Sequence, residues 1–195
     1  MAEAKHKEKK QKQKKQGAMF WPVVTLCCVA IAAAALYYYN KELAGKTRSL
    51  FMDQSGTWNA TLYFGDERAD VLITEFRRLT TSADPEEKAK ALVNELIRGP
   101  TARGVRTLPK QTKLIGIKTG DDGLLSINFG SEMVQYHPGG STAELLTVYA
   151  IVNTITTNIP EVKKVQLLFN GNAIETIAGH IDCSSPIYPK QELVH

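Results

Sequence analysis

The sequence predicts an α+β domain, a largely antiparallel sheet with two main helices packed on it, preceded by one transmembrane helix. Three observations lead there. Twenty consecutive residues, Phe20 to Tyr39, carry no charge. Segments with period-two alternation of apolar residues recur between turn signals from Trp58 onward. Two stretches of helical periodicity interrupt them.

At helical rise the uncharged run spans about 30 Å, the thickness of the hydrocarbon core of a bilayer. Lys5, Lys7, Lys9, Lys10, Lys12, Lys14 and Lys15 precede it, and such a cluster of positive charge stays on the cytoplasmic side. Trp21 at one end and Tyr37, Tyr38 and Tyr39 at the other suit the two headgroup layers. The rival reading is a cleaved secretory signal, with Ala33 and Ala35 as its small-residue site. The long charged segment in front and the aromatic cluster behind favour an uncleaved span, and Leu26 before Cys27 fits a lipoprotein signal poorly. The expected organisation is a basic cytoplasmic tail over 1–19, a membrane helix over 20–39, a linker over 40–57 and an exported domain over 58–190. The chain is thus expected in a bacterial cytoplasmic (inner) membrane as a single-pass protein, with its domain on the periplasmic or extracytoplasmic side.

Charge divides along the same boundary. Residues 1–48 carry ten Lys/Arg against three Asp/Glu, which leaves fourteen against seventeen for the rest of the chain. A mildly acidic domain lacks the electrostatic footprint that neutralises phosphates, so nucleic acid is not an expected partner. Cys183 is the lone cysteine outside the apolar run, which excludes a disulfide framework in the domain and suggests a buried, inert thiol. Cys27 and Cys28 read as small apolar residues in lipid.

Within the domain, alternation over Trp58–Phe64 and Val71–Leu79 predicts two strands joined at Gly65-Asp66-Glu67. Asp84-Pro85-Glu86-Glu87 then combines an N-cap, a first-turn proline and acids at the positive helix end. Ala89, Leu92, Val93, Leu96 and Ile97 trace one apolar face of that helix, and Gly99-Pro100 stops it. Thr112–Thr119 and Leu124–Phe129 form a second predicted hairpin through Asp122-Gly123. Ser141-Thr142-Ala143-Glu144 matches a capping box, followed by Leu145, Val148, Tyr149, Val152, Ile155 and Ile159 up to Pro160. No charge falls between Glu144 and Glu161, which predicts a helix buried on more than one side. Val165, Leu167 and Phe169 lead into Asn170-Gly171, a hairpin signal that predicts a returning strand over Ala173–Ile177.

The segment Leu92–Pro186 contains Leu96-Ile97-Arg98-Gly99-Pro100, Leu108-Pro109 before Lys113, Leu125-Ser126-Ile127-Asn128-Phe129 and Ile151-Val152-Asn153-Thr154. Its end holds Val165-Gln166-Leu167-Leu168-Phe169-Asn170-Gly171, then Glu175-Thr176, Gly179-His180-Ile181-Asp182 and Ser185-Pro186. These residues resemble the GerMN domain, a family named for a spore-germination and sporulation protein and found in exported, often lipid-anchored bacterial envelope proteins. The resemblance implies an α+β envelope module that assembles with or binds other envelope proteins, and it supplies no established catalytic residues. The chain departs from the lipid-anchored pattern by its uncleaved helix, a departure that suits a Gram-negative inner membrane equally well.

Candidate chemistry is sparse. Gly139, Gly140, Ser141 and Thr142 open a helix whose free N–H groups could receive an anionic group, for example from peptidoglycan, with Arg98, Arg103, Arg106 and Lys110 as a basic patch elsewhere. His180 and Asp182 lie two apart beyond Glu175 and could form a polar ligand site. Neither group has the ligand count of a metal centre, and His137 and His195 add no suggestive spacing. Ser131, Ser141 and Ser184 lack the elbow of a nucleophilic serine, and no cofactor fingerprint is present. The sequence therefore predicts a non-enzymatic interaction module of open oligomeric state, with a wall-ligand domain as the alternative.

Overall fold

The computed structural model describes residues 34, 35, 37 and 56–195, within a chain that divides into compact units Met1–Gln54 and Ser55–His195. Ala34, Ala35 and Tyr37 are helical. Among the described residues no helix is long and apolar enough to cross a membrane, and the expected span over 20–39 lies otherwise outside them. The remainder concerns the second unit.

Five strands form two sheets. β1 (Thr57–Gly65) and β2 (Leu72–Thr80) pair antiparallel in unbroken register, from Thr57 opposite Thr80 to Gly65 opposite Leu72. Asp66 closes their turn by accepting the N–H groups of Asp70 at 2.6 Å and Val71 at 3.1 Å. Helix α1 (Pro85–Arg98) starts as its residues predict: Asp84 accepts the N–H of Glu86 at 2.9 Å, and the N–H of Gly99, at φ +85°, donates to the carbonyls of Glu95 and Leu96. β3 (Leu114–Thr119) and β4 (Leu124–Phe129) are antiparallel, with a bulge between Leu114 and Gly116. A single-turn helix α2 (Glu132–Gln135) and the long α3 (Ser141–Asn158) lead to β5 (Lys164–Phe169).

The fold is α+β, but two features of the predicted sheet are corrected. There are two sheets, β1-β2 and β3-β4-β5, and β5 runs parallel to β4. A connection carrying an 18-residue helix can return the chain to the same end of the sheet, as parallel pairing requires. The predicted strand over Ala173–Ile177 is also absent. Asn170 and Gly171 do turn at positive φ, but the returning chain bonds β5 only at Asn172. Farther along β5, Val165 bridges to Ile187.

The core joins both sheets. Leu62 and Phe64 of β1, Leu92 and Leu96 of α1, Ile127 and Phe129 of β4, Ile151 and Ile155 of α3 and Leu167 of β5 belong to one buried cluster. α3 packs on β1 and β5 and, as its uncharged run predicts, is buried on several sides, from Leu146 to Ile155. It also closes the outer edge of β1. Asn158 Oδ1 accepts the Thr61 N–H at 2.9 Å, Asn158 Nδ2 donates to the Thr61 carbonyl at 2.6 Å, and Thr154 Oγ1 accepts the Tyr63 N–H at 3.2 Å.

Between β2 and α1 an ion-pair cluster is largely buried. The Arg77 side chain, 10% exposed, donates from Nε to Glu75 at 2.7 Å, from Nη1 to Glu95 at 2.5 Å and from Nη2 to the Gly99 carbonyl at 2.6 Å. Its guanidinium carbon lies 5.3 Å from the centroid of the Phe64 ring. Removing one partner of such a pair strands the others in a poorly solvated site, whereas the neighbouring exposed Arg78 has no such tie. Arg77→Ala should therefore lower stability by about 3 kcal/mol, and Arg78→Ala by about 0.5 kcal/mol or less. Urea denaturation checks both, as a lower midpoint with unchanged slope for Arg77→Ala alone.

Candidate functional site

The first turns of α3 hold the densest polar chemistry of the domain. Gly140 is the N-cap, with no side-chain cap bond, so the expected capping box does not form. Gly139 and Gly140 sit at φ +81° and +87° with nothing near an added Cβ, so they serve backbone conformation in an open place. Glu144, the proposed capping partner, turns elsewhere. A lone acid in an otherwise apolar helix must find donors or give up its charge.

It finds five. Glu144, fully buried, accepts through Oε1 from the Thr176 hydroxyl and from the N–H groups of Ile177 and Ala178, both at 2.8 Å. Oε2 accepts the His180 N–H at 2.8 Å and lies 3.2 Å from His180 Nδ1. Burial alone would raise the carboxyl pKa; the Thr176 hydroxyl and the backbone donors of Ala178, His180 and Ile177 outweigh it and bring it to about 2. At neutral pH this is a permanently ionised latch holding residues 176–180 against α3, not a group that exchanges protons.

The structure thus joins the two predicted candidate groups through a residue that neither contained. His180 meets the helix that Gly139, Gly140, Ser141 and Thr142 open, one turn farther in. Asp182 does not join it. Its Oδ1 accepts from the Ser184 N–H at 2.9 Å and hydroxyl at 2.6 Å, a local turn on the exposed surface. Among the described residues no group of three His, Cys, Asp or Glu side chains could hold a metal. Cys183 is buried as expected, and burial first, with the charges of Glu144 and Asp182, pushes its thiol up to about 11.

A second polar chain runs behind the latch. Thr147 Oγ1 lies 2.5 Å from the Thr107 carbonyl and 2.8 Å from that of Ala143, so its one hydrogen is used there. His137 Nε2, 3.0 Å from the same oxygen, must then donate to it, and Nδ1 accepts the Gly139 N–H at 3.1 Å. This neutral tautomer agrees with a pKa lowered by burial. Beside the chain lies a cavity of about 230 Å³ lined mainly by apolar groups, among them Val105, Leu108, Pro138, Ala143 and Leu146, with Arg106 and Lys110 also on its wall. Arg106 is already engaged, donating to the carbonyls of Ile97 and Arg98 at the end of α1.

Residues 61–175 match the family Germane, described as sporulation and spore germination. The chain belongs to the Germane family. A candidate lipoprotein from Clostridium perfringens is similar at 27% identity and a TM-score of 0.50, over 71% of this chain and 92% of that one. The tandem GerMN domains of the sporulation protein GerM from Bacillus subtilis align at 21% identity and a TM-score of 0.57, over 73% of this chain and 49% of theirs. The first GerMN domain of that protein aligns at 20% identity and a TM-score of 0.54, over 69% of this chain and 99% of its own. At these identities the two Bacillus structures establish a shared fold. No curated protein matches the sequence.

The sequence reading of this Germane domain missed Glu144 as a site residue, together with Thr176, Thr147 and His137. One signal was present: a single acid at the head of a helix with no other charge before Glu161. The latch sets a pH dependence. Because its pKa is lowered from 4.5 to about 2, the stability it contributes is fully present above pH 4.5 and is lost as pH falls through 2. Glu144→Gln should cost about 3 kcal/mol at pH 7, with the gap to the unsubstituted chain narrowing toward pH 2. Urea midpoints of both proteins at pH 7, 4 and 2.5 test it: a constant gap would count against an ionised Glu144.

Proposed function

We propose that this Germane domain is a membrane-anchored, non-enzymatic module that joins envelope proteins into a complex serving sporulation or germination, on the extracytoplasmic side of the bacterial cytoplasmic membrane. Family membership over residues 61–175 carries the reading. The chemistry of the fold supports it, since Glu144, its most perturbed carboxylate, is saturated by five donors. The basic tail and the uncharged run Phe20–Tyr39 support a helical anchor, and the similar Clostridium protein is described as a candidate lipoprotein, another anchored class.

A second reading, binding of peptidoglycan or another wall component near the start of α3, draws on the cavity between Leu108, Pro138 and Leu146 with Lys110 exposed beside it. Crosslinking in intact cells followed by capture of the full chain from solubilised membranes separates the two. Reproducible enrichment of particular envelope proteins is the expected result; recovery of wall fragments alone would replace the first reading with the second. Protease added to spheroplasts should digest the domain, and its survival in intact spheroplasts would overturn the extracytoplasmic placement.

A further inference from the structure

The strand edges of the domain are treated unequally. The outer edge of β1 is closed by Asn158 and Thr154 of α3, with Val105 bonded to Gly65 beyond them. That of β3 is broken by a bulge, and Glu86 accepts the Thr119 N–H at 2.8 Å. That of β5 is met by Ile187 and Asn172. Bulges, covering helices and short bridges are the usual means of keeping a sheet from adding another strand. The edge of β2 has one of them only at its start, where Val194 bridges to Leu72; from Thr74 to Arg78 it has none.

Its free groups follow from parity. Thr61, Tyr63 and Gly65 direct their backbone away from β2, toward α3 and Val105. The alternate residues Ala60, Leu62 and Phe64 therefore exchange bonds with their partners Arg77, Glu75 and Ile73. On β2 the intervening residues, Thr74, Phe76 and Arg78, point their N–H and C=O groups outward. The Leu72 carbonyl also points outward and is already taken, by the His195 N–H at 2.9 Å. Thr74, Phe76 and Arg78 are all exposed, and Phe76, at 73%, is the most exposed large apolar side chain among the described residues.

We propose that β2 pairs antiparallel with β2 of a second copy of this chain, about a two-fold axis at Phe76. This extends the assembly reading above by naming one partner. A closed two-fold dimer needs antiparallel strands. An axis at Glu75 or Arg77 would set like charges directly opposite each other, which is unfavourable, and three centres on the free outward-facing residues are left. Centred on Arg78, two guanidinium groups would face each other, which is unfavourable. Centred on Thr74, Phe76 would meet Leu72 of the other copy, whose carbonyl His195 occupies. Centred on Phe76, the two phenyl rings are neighbours and each Arg78 lies opposite a Thr74. Three residue pairs then each exchange two backbone bonds and join the hairpins into a four-stranded sheet. Strand pairing alone buries less than the ~1,200 Å² of a stable complex, so the dimer is weak in dilute solution and is favoured where copies are concentrated on one surface.

Disulfide trapping on membranes containing the full chain, with Cys27 and Cys28 replaced by alanine, tests the register. Opposed residues in a bonded pair have Cα atoms about 5.5 Å apart, inside the range of roughly 4.4–6.8 Å that a disulfide spans. Phe76→Cys should give covalent dimers on mild oxidation. Thr74→Cys mixed with Arg78→Cys should also crosslink, and Arg78→Cys alone should not. Adding Phe76→Pro to the Thr74→Cys and Arg78→Cys mixture removes two intermolecular N–H donors and should cut the yield by about tenfold. The hairpin is retained, because that N–H does not face β1; an unchanged thermal midpoint checks this. Absence of Phe76→Cys dimers, or crosslinking of Arg78→Cys alone as strong as that of the mixture, overturns the proposal. Capture of other envelope proteins by the same chain would leave the assembly reading intact.

Discussion

The buried carboxylate of Glu144 is the constraint on which the C-terminal third of the domain depends. α3 passes through the interior and carries one acid near its head, where water does not reach. An unpaired charge there would cost several kcal/mol, so the chain returning from β5 must deliver donors. It does so with the main-chain N–H groups of residues 177, 178 and 180, converging on one side chain, while that of Gly179 turns to the Thr176 hydroxyl. A segment whose amides turn toward a single carboxylate cannot also alternate them along a strand. The latch takes up the amide of Ile177, where the expected strand over Ala173–Ile177 would have ended.

The same logic runs along the rest of α3. Thr147 reaches the Thr107 carbonyl, Asn153 both donates to the Lys190 carbonyl and accepts its N–H at 2.9 Å, Thr154 receives Tyr63, and Asn158 brackets Thr61. Each polar side chain substitutes for a strand or turn partner that a neighbouring segment lacks. The helix is therefore both an apolar core element and a row of main-chain receptors. This explains how a buried helix carries so many polar residues without leaving their groups unpaired. Segments far apart in sequence, from Thr61 to Lys190, are held by one rod.

Polar groups engaged in holding the chain together are not free for chemistry. The Glu144 latch and the Arg77 cluster face inward, toward donors and acceptors already committed to the fold. What remains on the outside is of another kind: a regular strand edge at β2 and a basic loop with Arg103 and Lys110 exposed. Such features are the ones on which the proposed contacts with other macromolecules rest.

Local elements were legible in the sequence because their causes are local. Asp84-Pro85 and Gly99 bound α1 through contacts within a turn, Asp122-Gly123 sets the β3-β4 hairpin, and the gap in charge after Glu144 marks α3 as interior. The α+β class and the family likeness follow from these patterns. The Asn170-Gly171 turn also forms, yet the strand expected beyond it does not, because a turn signal specifies a reversal of direction and not the partner met afterwards. The parallel placement of β5, the separation into two sheets and the role of Glu144 depend on which distant groups meet in the packed interior. A capping box and a buried latch begin with the same four letters, Ser141-Thr142-Ala143-Glu144, and only the depth at which the carboxylate is buried decides between them.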